Sequence, residues 1–136
     1  ELRELGHINL VLASTQSGQT LEQVFESGYI MANWGTAFAH AHARYFPDMP
    51  AASMHVNLGA LALRHLQHSH GAAYLPEQLL ATSNSPRRLY RVSHAPCIER
   101  SVFAAFCSGS DRENSIRTAL GLLQASTIAD QQPGSE

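Results

Sequence analysis

Residues 55–76 read HVNLGALALRHLQHSHGAAYLP, an extended run followed by a helical pattern and a second short apolar run. Residues 53–57 are predicted to form a strand. Ala and Leu recur at helical spacing over residues 59–67, and Gly71 closes that helix. Residues 72–76 are short and apolar, and their final proline ends any strand there. The block therefore predicts one strand–helix–strand unit.

A similar order of elements is predicted upstream. Residues 8–13 (INLVLA) form a continuous apolar run typical of a buried strand, and a short helical turn is expected near residues 21–25. Residues 29–32 predict a second strand, and a helix follows from about residue 36 to residue 46, where Pro47 ends it. This alternation of strands and helices indicates a parallel sheet with crossover helices.

The pattern after residue 80 is less regular until a final helix. Residues 81–88 predict a surface loop, residues 89–92 alternate as an exposed strand does, and residues 101–107 (SVFAAFC) predict a buried strand. Ser110 and Glu113 match a capping box at the start of a helix whose apolar face contains Ile116, Ala119, Leu120 and Leu123. The polar residues 130–136 are expected to fray.

Composition restricts the class of protein. The 136 residues, 44% of them hydrophobic and 15% charged, fit one ordinary domain. A formal charge of −2 argues against DNA binding by this chain alone. No apolar run is long enough for a membrane span or a signal peptide, and two cysteines are too few for a disulfide scaffold. We expect a soluble, cytoplasmic protein, and the absence of an initiator Met suggests a piece of a longer chain.

The motifs of common enzyme classes are absent from the sequence. It contains no Gly-x-Ser-x-Gly nucleophile elbow and no glycine-rich phosphate loop after a predicted strand. Cys97 and Cys107 have no activating basic neighbours in the local sequence, so we interpret them as structural. We therefore predict neither an enzyme nor a cofactor. A small α/β enzyme with a spatially assembled site is kept as an alternative.

Eight histidines raise the possibility of a metal site. His65 and His68 are three residues apart on a predicted helix and can share one ion, with His40 or His42 as a further ligand. No Cys or acidic residue lies within this cluster to complete the site. We therefore treat His65 and His68 as weak metal candidates, and a histidine-rich metal-binding protein as an alternative function.

Two strand ends carry similar short sequences. Asn33-Trp34-Gly35-Thr36 follows the second predicted strand, and Asn57-Leu58-Gly59-Ala60 follows the third. In open parallel sheets, ligands bind at the carboxyl ends of strands, where helix N-termini offer free N–H groups. These residues therefore predict a small-molecule cleft. The alternative is ordinary turn chemistry with Trp34 packed as a core aromatic.

Three blocks resemble the effector-binding domain of LysR-type transcriptional regulators: YIMANWGTAFAHAHARYFP (29–47), residues 55–76, and ERSVFAAFCSGSD (99–111). The resemblance implies an α/β, periplasmic-binding-protein-like (type 2) fold of two subdomains joined by crossing strands. It assigns residues 1–27 to a crossing strand and hinge, 28–92 to the second subdomain, 93–128 to a return strand and terminal helix of the first subdomain, and 129–136 to a flexible tail.

The same resemblance implies an effector-sensing, non-enzymatic function. A small effector would bind at Asn33, Trp34, Gly35, Thr36, Asn57 and Gly59. Trp34 would enclose it, Thr36 and Asn57 would hydrogen-bond it, and the glycines would leave backbone N–H groups open. The family also implies a homodimer or larger assembly, no membrane, and DNA contact only through an N-terminal winged helix-turn-helix that these residues do not contain. Effector binding would shift the equilibrium between subdomain arrangements.

Overall fold

A computed structural model describes residues 1–81, 86–109 and 112–130, with side chains described as far as residue 125. The chain forms two compact units. The larger unit is Asn9–Arg100, and the smaller one combines Glu1–Ile8 with Ser101–Glu136. Residues 82–85 of the predicted 81–88 loop lie outside the described residues, as do Ser110, Asp111 and residues 131–136.

The elements follow one another as strands and helices. They are β1 (Leu2–Ser14), α1 (Leu21–Glu26), β2 (Tyr29–Ala32), α2 (Thr36–Tyr45), β3 (Met54–Val56), α3 (Gly59–His68), β4 (Ala72–Pro76), a 3-10 helix (Glu77–Leu80), β5 (Tyr90–Arg91), β6 (Ile98–Ala105) and α4 (Glu113–Asp130). The predicted strands at 29–32 and 72–76 are confirmed, and the helices α1, α2 and α3 end within a residue of their predicted ends. The 3-10 helix was not predicted.

The sheet of the larger unit has the strand order β3-β2-β4-β1-β5. β2 is parallel to both β3 and β4, with Ile30 opposite Met54 on one side and Ala73 on the other. The parallel arrangement predicted for β2, β3 and β4 is therefore confirmed. It is wrong for β1, which is antiparallel to β4 and to β5, so the sheet is mixed.

The two faces of the sheet are covered by different helices. On one face, Ile30, Ala73 and Leu75 belong to a buried cluster that includes Leu66 of α3. On the other face, Tyr74 contacts rings of α2, among them Phe38. Successive residues of a strand point to opposite faces, which explains why Ala73 and Tyr74 serve different cores. Burial on both faces also explains the continuous apolar runs that predicted these strands.

β1 is longer than predicted. Only its second half is buried, and only that half has the apolar pattern from which the strand was predicted. Leu10–Ala13 are at most 1% exposed, and they produced the apolar run that marked the strand. The first half belongs to the smaller unit, where β1 pairs with β6 and Phe106 N–H donates to the Glu1 carbonyl at 3.0 Å. Side chains at the start of β1 are exposed, so no apolar pattern extends over them.

Three predictions near the end of the chain need correction. β6 begins at Ile98 rather than at residue 101 and is not buried, since Phe103 is 51% exposed. Residues 89–92 do not alternate, because Leu89 and Val92 are both buried around the two-residue strand β5. Of the predicted apolar face of α4, Leu120 is buried and Ile116 is half-buried, whereas Ala119 and Leu123 are exposed. Among its described residues, the smaller unit therefore buries few of the apolar side chains that the sequence pattern assigns to a core.

The predicted capping box falls partly outside the described residues, since Ser110 and Asp111 are not described. Its Glu113 begins α4 and is described. The Glu113 carboxylate accepts from Gly109 N–H at 3.3 Å and pairs with Arg117 at 2.6 Å. These contacts lower the pKa of Glu113, the hydrogen bond from Arg117 having the largest effect.

Candidate functional site

A pocket of about 290 Å³ lies where the parallel strands β2 and β3 end. The carboxyl ends of parallel neighbours meet at one edge of the sheet, and here α2 follows β2 closely. Backbone pairing holds the two ends together, because Asn33 N–H donates to the Val56 carbonyl at 2.9 Å. The pocket is lined by Met31, Ala32, Asn33, Trp34, Gly35, Phe38, Ala39, His55, Val56 and Asn57.

Most of the residues predicted for the cleft meet at this pocket. Asn33, Trp34 and Gly35 line it from the first strand end, and Asn57 lines it from the second. Thr36 is the first residue of α2 and Gly59 the first residue of α3, but neither lines the pocket. The two strand ends are alike in sequence, but the first contributes three of the predicted residues to the pocket lining and the second contributes one.

Asn33 shapes the turn into α2. Its side-chain Oδ1 accepts from Gly35 N–H at 3.0 Å, and its amide NH₂ group is exposed on a side chain that lines the pocket. Gly35 itself has φ +97° and ψ 172°, a conformation that is essentially restricted to glycine. The local sequence Asn-Trp-Gly therefore fixes the backbone that borders the pocket.

The indole of Trp34 is held by the protein. Its Nε1–H donates to the Tyr74 carbonyl at 2.9 Å, and the half-buried ring packs against the cluster under α3. A Cβ atom on Gly59 would lie 2.1 Å from the ring. Gly59 therefore makes room for the indole. Trp34 thus lines the pocket and is also packed against the core, as the alternative drawn from the sequence expected.

Arg100 of β6 is the neighbour of this site that sequence reasoning missed. Its guanidinium lies 3.4 Å from the position that a Cβ atom would occupy on Gly35. The side chain is exposed, and both residues belong to the larger unit. Arg100 is far from Gly35 in sequence and precedes the strand predicted at 101–107, so no local pattern connects the two.

Both polar and apolar side chains line the pocket. Asn33, Asn57 and His55 supply the polar ones, and Phe38 is a buried apolar one. None of the described residues that line the pocket is acidic. Such a mixture of apolar side chains and a few polar groups is typical of small-molecule sites.

A buried aromatic cluster supports the pocket from below. His42, 2% exposed, lies between Phe38 and Phe46, and its Nε2 is 2.8 Å from the Tyr29 hydroxyl. Burial lowers the pKa of His42 and raises that of Tyr29, so both groups are neutral near pH 7. The suggestion that His42 serves as a surface metal ligand needs correction, because its ring is enclosed by these aromatic side chains.

The remaining histidine candidates do not converge on a metal-ligand set. His65 is half-buried and His68 is exposed on α3. Within residues 1–81, 86–109 and 112–130, no three His, Cys, Asp or Glu side chains are placed to hold one metal ion. Cys97 and Cys107 are both exposed cysteines with free thiols. Partial desolvation raises the pKa of Cys97, against an opposing effect of the nearby Arg91.

A larger groove, of about 490 Å³, lies between α1 and the segment after α2. Phe25 and Phe46 are among its apolar lining residues, and Glu22, Glu26 and Asp48 are its acidic ones. It contains none of the residues predicted for the cleft and does not lie at strand ends. The smaller pocket is therefore the stronger candidate site.

Comparison of the sequence with family models and with curated proteins gives no match. Solved structures, in contrast, are similar over most of the chain. The regulatory domain of HypT from Salmonella typhimurium matches 93% of the chain with 16% identity and a TM-score of 0.69. Full-length HypT, a hypochlorite-specific LysR-type transcriptional regulator, matches the same share at the same TM-score. This chain has the fold of LysR-type regulatory domains.

Two other structures with this LysR-type fold were solved with small molecules. The regulatory domain of CcmR from Synechocystis, in complex with 2-PG, matches 93% of the chain with 16% identity and a TM-score of 0.63. The effector-binding domain of QuiR, in complex with shikimate, matches 98% with 12% identity and a TM-score of 0.60. The α/β, periplasmic-binding-protein-like fold implied by the sequence is thus confirmed.

The chain spans only part of these relatives. It covers 66% of the HypT and CcmR regulatory domains and 47% of full-length HypT. None of its described helices has the length and apolar character needed to cross a membrane.

Proposed function

We propose that this chain is the effector-sensing part of a LysR-type transcriptional regulator and that its effector binds in the pocket at the ends of β2 and β3. One observation carries the proposal. In a fold shared with LysR-type regulatory domains, the chain brings Asn33, Trp34, Gly35 and Asn57 together around a pocket of about 290 Å³. The ligand complexes of the CcmR and QuiR domains support a small-molecule role for this fold.

Each pocket residue then has a binding role. The exposed amides of Asn33 and Asn57 hydrogen-bond the effector, and Gly35 lets it approach the backbone at the start of α2, where Thr36 follows. Trp34 provides a rigid wall, because its N–H is already bonded to Tyr74. A wall fixed in advance lowers the entropy that binding would otherwise cost.

The effector acts by changing the balance between conformations. A ligand moves such an equilibrium only by its difference in affinity for the two states. In the whole regulator, we propose that this shift reorients DNA-binding winged helix-turn-helix domains within a homodimer or larger assembly in the cytoplasm. Residues 1–27 then act as a crossing strand and hinge, residues 28–92 as the second subdomain, and residues 93–128 as the return crossing strand and terminal helix of the first subdomain. The chain carries out no catalysis.

The alternatives have less support from the geometry. A metal-binding function needs a third ligand beside His65 and His68, and the described residues bring none to them. A small α/β enzyme needs a nucleophile or acid–base pair at a cavity, whereas the described lining of this pocket contains no Ser, Cys, Asp or Glu.

Ligand screening by NMR tests the proposal. Small metabolites are titrated into the ¹⁵N-labelled chain, and we expect the amide signals of Asn33, Gly35 and Asn57 to shift together. Asn57→Ala removes one hydrogen-bonding side chain and should weaken binding by about fivefold. Asn114→Ala, an exposed position of α4, is the matched control and should leave the affinity unchanged. If hits shift only signals of the groove beside α1, or none shifts the pocket signals, the proposal is wrong.

A further inference from the structure

Arg100 places a positive charge beside the proposed effector pocket. Its guanidinium Nη2, Cζ and Nε atoms lie 3.4, 3.7 and 3.9 Å from the Cβ position of Gly35, one of the residues that line the pocket. A Cβ atom at that position would be in ordinary van der Waals contact with the guanidinium. The guanidinium therefore lies close to Gly35, at the border of the pocket.

No described residue forms an ion pair with Arg100. The ion pairs between described residues join Arg91 to Glu77 and Arg117 to Glu113, and Arg100 belongs to neither. Its acidic neighbour in sequence, Glu99, points to the opposite face of β6 because successive strand residues alternate. The described pocket lining contains no carboxylate either. The charge of Arg100 is thus available to a ligand.

Gly35, with φ +97°, lines the pocket, lies next to the guanidinium and has no side chain of its own. A guanidinium has several N–H donors in one plane and matches the two oxygens of a carboxylate, or the oxygens of a phosphate, in a bidentate arrangement. The nearby amide of Asn33 adds a neutral donor, so the border of the pocket offers donors to an acceptor-rich group.

We infer that the pocket selects small molecules carrying a carboxylate or another anionic oxygen group, and that Arg100 is the residue that recognises this charge. The inference rests on the proposed function, because it names the class of effector that the same pocket takes. It adds a specificity-determining residue that lies outside the two strand-end sequences.

The test compares an anionic probe with its neutral isostere. Benzoate and benzamide have nearly the same shape, and each is titrated into the ¹⁵N-labelled 136-residue chain while the Gly35 amide signal is followed. We expect benzoate to bind more tightly than benzamide. Arg100→Gln should weaken benzoate binding by about tenfold and leave benzamide unchanged. Arg100→Lys should retain part of the preference, because it keeps the charge but loses the planar fork.

Arg64→Gln is the matched control, since it removes an exposed arginine from the middle of α3. It should leave both affinities unchanged. Raising the salt concentration should weaken benzoate binding and not benzamide binding. A pocket that binds both probes equally, or an Arg100→Gln variant that binds benzoate as the parent does, overturns the inference while leaving the proposed pocket intact. If neither probe shifts the Gly35 signal, both the pocket and its charge preference are contradicted.

Discussion

The ring of Trp34 occupies the space in which a side chain at position 59 would begin, so that the two residues are compatible only because Gly59 has no Cβ atom. This contact connects the end of β2 to the start of α3. The hydrogen bond from Trp34 to the Tyr74 carbonyl extends the connection to β4. The wall of the pocket is therefore continuous with the core of the larger unit.

Gly59→Ala is expected to destabilise the protein by about 1–3 kcal/mol, because a Cβ atom 2.1 Å from the indole forces the ring or the helix to move. Urea denaturation measures the change in the free energy of unfolding. Gly121→Ala in α4 is the control, since a Cβ atom there meets nothing within 4 Å. That substitution should stabilise the protein slightly, by up to about 1 kcal/mol. Equal effects of the two substitutions would contradict the packing role of Gly59.

Trp34 is the only tryptophan of the chain and lines the pocket, so its fluorescence should report occupancy directly. We expect ligands that bind the pocket to change the emission of Trp34 with the same affinity that NMR gives. Trp34→Phe removes the N–H donor to Tyr74 and should cost about 1 kcal/mol of stability. An emission spectrum that stays constant while the Asn57 amide signal shifts would place the ligand away from the indole.

The buried His42 should make the stability of the protein depend on pH. Burial lowers the folded-state pKa of His42 below its ordinary value of 6.5, so the unfolded chain binds this proton more readily. The stabilisation due to the neutral ring is complete above about pH 6.5 and is lost as the pH falls through the folded-state pKa. We expect the free energy of unfolding to decrease between pH 7 and pH 5, as measured by urea denaturation at each pH.

His42→Gln should flatten this pH dependence, although it lowers stability at pH 7 because the aromatic packing around position 42 is lost. His68→Gln, at an exposed position of α3, should leave the slope as it is in the parent protein. The pH slope separates the titration of His42 from a general loss of stability. A slope that His68→Gln removes and His42→Gln preserves would contradict the assignment.

Much of the larger unit was predictable because local pattern and tertiary burial agree there. The strands Tyr29–Ala32 and Ala72–Pro76 are buried on both faces and therefore appear as short apolar runs with clear ends. In the smaller unit, the same apolar pattern was misleading at residues 101–107. Phe103 is apolar but half-exposed, and an apolar pattern alone does not show whether another element covers it.

The site was predictable only where its residues are local in sequence. Asn33, Trp34 and Gly35 follow one strand directly, and Asn57 follows its parallel neighbour, so the general rule for strand ends found them. Arg100 and the Trp34–Gly59 contact depend on how distant elements pack, which no periodicity encodes. The sequence also placed His42 among surface metal candidates, because a helical HAH pattern does not show which histidine faces the core.

Gly35→Ala should damage the pocket through the backbone at its border. The conformation at φ +97° and ψ 172° is strained for any residue with a Cβ atom, at a cost of about 1–3 kcal/mol, whereas the new methyl group would meet the guanidinium of Arg100 only at an ordinary contact distance of 3.4 Å. Relief of the strain would move the backbone that lines the pocket. We therefore expect lower stability in urea and weaker benzoate binding. Gly18→Ala is the control, because Gly18 also has a positive φ, +70°, but a Cβ atom there has no neighbour within 4 Å. Gly18→Ala should lower stability without changing benzoate binding. If it loses benzoate affinity as Gly35→Ala does, the loss of affinity arises from general destabilisation and not from a change at the border of the pocket.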